Sequence, residues 1–140
     1  MIVTFDFDAT LTKVVEESFE WDSETFWTPD PKTPNEKVLD NLRALVSEGH
    51  EIHVVTTRNR SKCEEVFGFI NEHSLPVRDV HFTGGDDKLP TLQELGSALH
   101  FDDSLEELER LAESDIKGRL VPHPHDKEAH SDKIQKFETV

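Results

Sequence analysis

Two carboxylates near the start of the chain, Asp6 and Asp8, directly follow an apolar, β-branched run, and Thr10 comes two residues later. Strand side chains alternate between the two faces of a sheet, so an acid at the carboxyl end of a buried strand lies at the sheet rim. Open α/β folds bind their ligands at that rim. Two acids so close together repel each other unless a cation or a proton lies between them. The pair therefore indicates a metal site, a nucleophile with an acid/base partner, or both.

Polar side chains also follow the later apolar runs of the chain. They are two hydroxyls and an arginine, then a lysine, then two further acids (Thr56, Thr57, Arg58, Lys88, Asp102 and Asp103). If the strands are parallel, their carboxyl ends share one edge of the sheet. That edge would then carry acids for a divalent cation, donors for phosphate oxygens and a group that attacks phosphorus. Metal-assisted phosphoryl transfer requires this combination.

Alternating strands and helices are predicted to position these groups. Apolar runs bounded by turn residues predict five strands, at 2–7, 51–56, 77–82, 98–101 and 119–121. Helical spacing of the apolar residues predicts helices between them, and strands separated by helices imply a parallel sheet with right-handed crossovers. We therefore predict an α/β fold: a Rossmann-like, doubly wound sandwich around a mainly parallel five-stranded sheet.

The first long helix has a capping pattern at its start. Thr33 is the predicted N-cap, Pro34 the first helical residue and Glu36 the reciprocal cap. We predict one domain over residues 1–140, with a small flap or hairpin at about 13–32 and a polar tail at about 122–140.

The order of the polar groups resembles the four motifs of the haloacid dehalogenase superfamily, in its phosphatase branch, over roughly residues 1–121. The first motif is an apolar strand followed by Asp-x-Asp-x-Thr, which residues 5–11 match. The second is an apolar strand ending in Thr or Ser, matched by residues 54–56. The third is a lysine, for which Lys88 is the candidate, and the fourth is an acidic pair after an apolar strand, matched by residues 101–103.

The resemblance implies a role for each matched residue. Asp6 is the nucleophile that forms an aspartyl-phosphate, and Asp8 is the general acid/base that protonates the leaving oxygen and later activates water. Thr56 donates a hydrogen bond to the phosphoryl group. Lys88 neutralises the phosphate and separates the charges of Asp6 and Asp8. At Ala9 the family commonly has glycine, and alanine is tolerated there unless the backbone needs a positive φ.

The resemblance also implies a Mg²⁺ ion. The carboxylates of Asp6 and Asp102 and the backbone carbonyl of Asp8 hold the ion, and Asp103 orients these ligands or helps bind it. We further assign Thr10, Thr57 and Arg58 to substrate binding.

A large cap domain over the site is not predicted, because only residues 9–32 separate Asp8 from the helix start. The resemblance then implies a capless or minimally capped phosphatase. Aromatic side chains in this segment either stack on a base or sugar of the substrate or cover the edge of the core (Trp21, Phe26 and Trp27).

We expect the substrate to be a small phosphate ester or a nucleotide. The alternatives are a macromolecular substrate at an open site, such as a nucleic-acid end or a phosphoprotein, and a catalytically silent binding module. A receiver-type signalling domain uses similar groups, but its phosphorylated Asp lies on a middle strand, where this chain has Thr56.

The charge balance is strongly acidic, with 30 Asp plus Glu against 15 Lys plus Arg and a formal net charge of -15. Such a surface repels phosphates at long range and disfavours long nucleic acid as a partner.

A single cysteine, Cys63, excludes an internal disulfide and fits a reducing, cytoplasmic setting. We expect no membrane span and no secretory signal, and an oligomer is compatible with the sequence. The irregular spacing of His123, His125 and His130 in a polar tail does not favour a metal site.

Overall fold

A computed structural model describes residues 1–18, 25–122 and 134–136 of the chain. In chain order the elements are β1 (Ile2–Phe5), β2 (Thr12–Ser18), β3 (Thr25–Pro34), α1 (Glu36–Ser47), β4 (Glu51–Thr56), α2 (Cys63–Glu72), β5 (Asp79–Phe82), α3 (Leu89–Leu95), β6 (Ser97–Asp102), α4 (Leu105–Arg110), β7 (Lys117–Leu120) and β8 (Ile134–Lys136). An irregular turn at Phe7–Leu11 follows β1, and a short 3-10 turn at Arg60–Lys62 precedes α2.

The central sheet has the strand order β5-β4-β1-β6-β7-β8, and every neighbouring pair is parallel. All five predicted strands are present. The short strand β8 adds a sixth at the edge, within the segment predicted as a polar tail. From β1 the chain adds β4 and β5 on one side of the sheet, and then crosses over to add β6, β7 and β8 on the other side. The strand order therefore reverses beside β1. Ligands of open α/β sheets bind at such a switch point.

Helices cover both faces of this sheet. Residues of α1 and α2 pack with Val54 in one hydrophobic cluster, whereas residues of α3 and α4 pack with Val55 in a second cluster. Because Val54 and Val55 are consecutive residues of β4, their side chains point to opposite faces. The predicted doubly wound α/β fold is therefore confirmed.

The segment predicted as a small flap forms an antiparallel hairpin of β2 and β3, with Val14 opposite Pro29. Trp21 lies outside the described residues, as do the side chains of Phe26 and Trp27. The three histidines of the predicted polar tail, His123, His125 and His130, lie outside them as well.

The first long helix begins later than the capping pattern predicts. Thr33 and Pro34 belong to β3, and Asn35 is the residue that precedes α1. The Thr33 hydroxyl donates to the Asp30 carboxylate at 2.6 Å, and the Asn35 amide donates to the Leu11 carbonyl oxygen at 2.8 Å. The prediction of Thr33 as N-cap is wrong, because contacts of the hairpin already use its hydroxyl.

Candidate active site

A cavity of about 270 Å³ opens at the carboxyl edge of the sheet, beside the switch point. Residues at the ends of β1, β4 and β6 and at the starts of α3 and α4 form its walls, together with Pro29 of β3. Its lining residues are Asp6, Asp8, Pro29, Thr57, Lys88, Asp102, Asp103, Ser104 and Glu107. Six of these are predicted site residues, so the three strand ends do converge as the sequence predicts.

The turn after β1 sets the positions of the first two acids. The Asp6 amide donates to the Phe101 carbonyl oxygen at 2.9 Å and so continues the pairing of β1 with β6. Ala9 then takes a left-handed conformation, with φ 62° and ψ 15°, and its amide donates to the Thr12 hydroxyl at 2.9 Å. The Thr10 hydroxyl donates to Asp6 Oδ2 at 3.3 Å. Thr10 is fully buried and does not line the cavity, so it orients Asp6 from behind.

Lys88 is a buried ammonium between two buried acids. Its Nζ donates to Asp6 Oδ1 at 2.8 Å and to Asp102 Oδ2 at 2.7 Å. Although burial alone would lower the pKa of Lys88, the charges of Asp6 and Asp102 raise it above its usual value. The lysine stays charged and places a positive charge between the two carboxyl groups.

Asp102 is held on both carboxylate oxygens. The Ser104 amide donates to Oδ1 at 3.0 Å, and His100 Nε2 lies 2.9 Å from Oδ2, the oxygen that also accepts from Lys88. Burial alone would raise the pKa of Asp102, but the Lys88 ammonium and the His100 hydrogen bond lower it. Asp102 is therefore an ionised, oriented carboxylate.

Asp103 differs in charge state from its neighbour. The pKa of Asp103 is raised to about 10. The causes are burial, a hydrogen bond with Asp6 and the negative charges of Asp6 and Asp102. Burial also raises the pKa of Asp6. The raised pKa of Asp103 means that this cluster retains a proton at neutral pH.

These carboxyl groups fit a divalent cation. Ligand oxygens of Asp6, Asp102 and Asp103 all lie within 4.8 Å of one another, and no other such group occurs among the residues that the structure describes. Carboxylate oxygens suit Mg²⁺, Ca²⁺ and Mn²⁺. Without a cation, repulsion between the crowded carboxylates favours a retained proton. A bound cation would replace that proton.

Arg58 contacts Asp8 rather than the cavity. Its Nε and Nη2 donate to the two carboxylate oxygens of Asp8, both at 2.8 Å, and its Nη1 donates to Glu65 at 3.0 Å. The guanidinium also lies 5.2 Å from the ring centroid of Phe7. The hydrogen bonds that Arg58 donates to Asp8 raise the pKa of Arg58 above its usual value. Substrate binding by Arg58 stays a prediction, and in this structure the residue orients the Asp8 carboxylate.

The two threonines after β4 have different surroundings. Thr56 is fully buried, and its hydroxyl accepts from the Arg58 amide at 3.2 Å. Thr57 lines the cavity, whereas Thr56 does not.

Three cavity residues were not predicted from the sequence: Pro29 and the polar residues Ser104 and Glu107, of which the latter two lie at the start of α4. Ser104 caps α4 by accepting from the Glu107 amide at 3.3 Å. The Glu107 carboxylate accepts from the Lys88 amide at 3.4 Å and from Arg110 at 3.0 Å. The signal that could have found them is the Ser-x-x-Glu spacing directly after Asp103, which is typical of a capped helix start.

No protein-family model matches this chain. No curated protein matches it either. Among solved structures, it is similar to the crystal structure of a hypothetical protein from Xanthomonas campestris, with 19% sequence identity and a TM-score of 0.51. The match covers 88% of this chain and 65% of that one, so this chain spans just under two thirds of the neighbour's length. The likeness shows the fold alone. None of the described helices is long and apolar enough to cross a membrane.

Proposed function

We propose that this protein is a Mg²⁺-dependent phosphomonoester hydrolase of the haloacid dehalogenase type that works through an aspartyl-phosphate at Asp6. The observation that carries the proposal is the buried Lys88 ammonium between Asp6 and Asp102, beside Asp103, at the floor of an open cavity. The order Asp6, Asp8, Thr56, Lys88 and Asp102 along the chain supports the same proposal.

Asp6 is the proposed nucleophile. A carboxylate attacks a phosphate dianion only where its charge is offset, and Lys88 supplies one positive charge at 2.8 Å from Asp6. The Thr10 hydroxyl holds the other Asp6 oxygen, so that the carboxylate reaches the cavity in one orientation. In the first step a bond forms from an Asp6 oxygen to phosphorus, and the bond from phosphorus to the ester oxygen breaks.

Asp8 is the proposed general acid and base. In the first step it gives a proton to the leaving ester oxygen, which requires one Asp8 oxygen to be protonated and released from Arg58. In the second step it takes a proton from the water that attacks the aspartyl-phosphate, which releases inorganic phosphate and restores Asp6. Asp8 lines the cavity and its carboxylate is 30% exposed, so it is accessible to both the substrate and water.

Asp6, Asp102 and Asp103 would hold the metal, with the Asp8 backbone carbonyl as a further ligand. When bound, Mg²⁺ supplies positive charge that stabilises the phosphoryl oxygens in the transition state. Thr57 lines the same cavity and offers a hydroxyl to those oxygens.

The proposed substrate is a small phosphate ester or a nucleotide. A cavity of about 270 Å³ has room for a phosphoryl group and part of a small alcohol, and Pro29 of β3 lines it. The net charge of -15 disfavours long polyanions.

The test is phosphate release from an aryl phosphate with Mg²⁺ and with a chelator. We expect turnover only with Mg²⁺, and loss of at least about a thousandfold in kcat in Asp6→Asn, which keeps the shape of the side chain but removes the nucleophile. Asp40→Asn on the exposed surface of α1 is the matched control and should retain full activity. Turnover that persists in Asp6→Asn would overturn the nucleophile assignment.

A further inference from the structure

A chain of buried polar side chains leads from Asp102 into the core of the sheet. His100 Nε2 lies 2.9 Å from Asp102 Oδ2, and His100 Nδ1 lies 2.8 Å from the Thr4 hydroxyl. The Thr4 hydroxyl lies 2.9 Å from the Ser97 hydroxyl, which in turn donates to the Leu99 carbonyl oxygen at 3.1 Å. His100 and Thr4 are completely buried.

Strand geometry accounts for the alignment of this chain. Thr4 of β1 and His100 of β6 are direct partners in the parallel register. Each lies two residues before an acid of the site, Asp6 and Asp102, so all four side chains share one face of two neighbouring strands. The opposite face at the same level is apolar, where Phe5 and Phe101 stack at 4.4 Å.

The hydrogen bonds determine which nitrogen of His100 carries a proton. The Asp102 carboxylate already accepts from Lys88 and from the Ser104 amide, so it is an acceptor toward His100 as well. Nε2 therefore donates to Asp102. With a neutral ring, the Thr4 hydroxyl donates to Nδ1, and the Ser97 hydroxyl completes the chain at Thr4 or at the Leu99 carbonyl.

This network uses most of the acceptor capacity of Asp102. An ionised carboxylate has about four lone-pair sites. Lys88, His100 and the Ser104 amide use three, and Asp102 also shares a hydrogen bond with Asp103, the third acid of the cluster. These three donors hold the Asp102 carboxylate in one rotational orientation, next to the ligand oxygens of Asp6 and Asp103.

We propose that His100, supported by Thr4, is a positioning residue that holds Asp102 in the orientation required for metal binding. The inference rests on the proposed function, because it assumes that Asp102 is a metal ligand. A buried imidazole in an apolar strand costs free energy unless its nitrogens are paired, so packing alone would be served better by a leucine. Partners that orient metal ligands in this way commonly change metal affinity by about 10- to 100-fold.

The test measures metal binding directly, on the full chain, with Mn²⁺ followed by its electron paramagnetic resonance signal. Mn²⁺ has the same preference for oxygen ligands as Mg²⁺. Three variants are compared with the wild type. His100→Leu removes the donor, His100→Gln keeps an N–H that can reach Asp102, and Thr4→Val removes the hydroxyl behind the ring.

We expect the Mn²⁺ dissociation constant to rise about 10- to 100-fold in His100→Leu and to stay within about threefold of wild type in His100→Gln. Thr4→Val should fall between them, and it serves as the test if His100→Leu does not fold. The metal concentration for half-maximal phosphatase activity should shift in the same order, with a smaller change in kcat at saturating metal.

A folded His100→Leu protein with wild-type Mn²⁺ affinity would overturn the positioning role, and so would equal losses in His100→Gln and His100→Leu. If His100→Leu does not fold, wild-type affinity in Thr4→Val would overturn it. A wild-type protein that binds no Mn²⁺ would instead overturn the metal site of the proposed function, together with the inference built on it.

Discussion

Two buried carboxyl groups and a half-buried third near one buried ammonium leave the site with an excess of acid. Lys88 compensates Asp6 and Asp102, and Asp103 keeps its proton because burial and its acidic neighbours oppose a further negative charge. Removing one partner of a buried pair costs several kcal/mol, because the other charge is left without compensation. The pairs that Lys88 forms with Asp6 and Asp102 therefore matter for folding as well as for the proposed chemistry.

The raised pKa of Asp103 makes the stability of the metal-free protein pH-dependent. The pKa rises from 3.8 to about 10, so the folded state holds one proton more than the unfolded state between these values. Stability therefore falls as pH rises through this window, by at most about 1.4 kcal/mol per pH unit. Asp103→Asn removes the titration, so its thermal midpoint in chelator should exceed that of wild type, with a larger gap at pH 8 than at pH 5. A gap independent of pH would contradict the assignment.

The pair of Arg58 and Asp8 should matter for catalysis more than for folding. The bidentate contact orients Asp8, and Arg58→Ala should lower kcat by about 10- to 100-fold because the acid loses its fixed position. Glu65→Gln is the control, since Glu65 contacts Arg58 but not Asp8, and it should change kcat less than about threefold. Steady-state kinetics on an aryl phosphate give both values. An Arg58→Ala enzyme with wild-type kcat would show that Arg58 does not position the acid.

At the scale of the elements, the turn between β1 and β2 carries a local strain. Ala9 has φ 62°, a region that costs a residue with a Cβ atom about 1–2 kcal/mol and glycine little. Ala9→Gly also makes the unfolded chain more flexible, at a cost of about 0.4–1 kcal/mol. We expect a net gain in unfolding free energy of up to about 1 kcal/mol in urea denaturation.

The control for this turn is Ala44→Gly on the exposed side of α1, where the same substitution should lower stability by about 1 kcal/mol. Equal losses at both positions would mean that the left-handed conformation of Ala9 does not limit stability.

The strands and their polar ends were predictable because alternation and apolar runs are local signals. Asp6, Lys88 and Asp102 therefore come together as expected. The contact between Arg58 and Asp8 joins residues 50 positions apart and depends on rotamers, which no local pattern encodes. The N-cap prediction at Thr33 is wrong for a similar reason, since a hairpin contact to Asp30 competes for the same hydroxyl.

His100 is an instructive intermediate case. A histidine within the apolar run of β6, two residues before an acid, is visible in the sequence. Its partner Thr4 is equally visible on β1. Thr4 and His100 become neighbours only through the register of β1 against β6. That register is set when the sheet folds, so the sequence does not show it.

For the whole molecule, the net charge of -15 should influence how substrates arrive. A phosphate dianion is repelled at long range, and salt shortens that repulsion to about 8–10 Å at physiological ionic strength. At saturating Mg²⁺, kcat/KM for an aryl phosphate should therefore rise severalfold from low to physiological ionic strength, while kcat changes little. An uncharged osmolyte at equal osmolarity is the control. A fall in kcat/KM with salt would indicate that a local cation, rather than the net charge, governs substrate capture.

The most direct test of the central claim is to trap the covalent intermediate on Asp6. The protein turns over an aryl phosphate with Mg²⁺, is quenched in acid and is reduced with borohydride, which converts an aspartyl-phosphate into homoserine. Peptide mass spectrometry then locates the change. We predict homoserine at position 6 in the wild type, only when Mg²⁺ and substrate are both present, and none in Asp6→Asn. Turnover without any change at Asp6, or with the change at another carboxylate, would contradict the account.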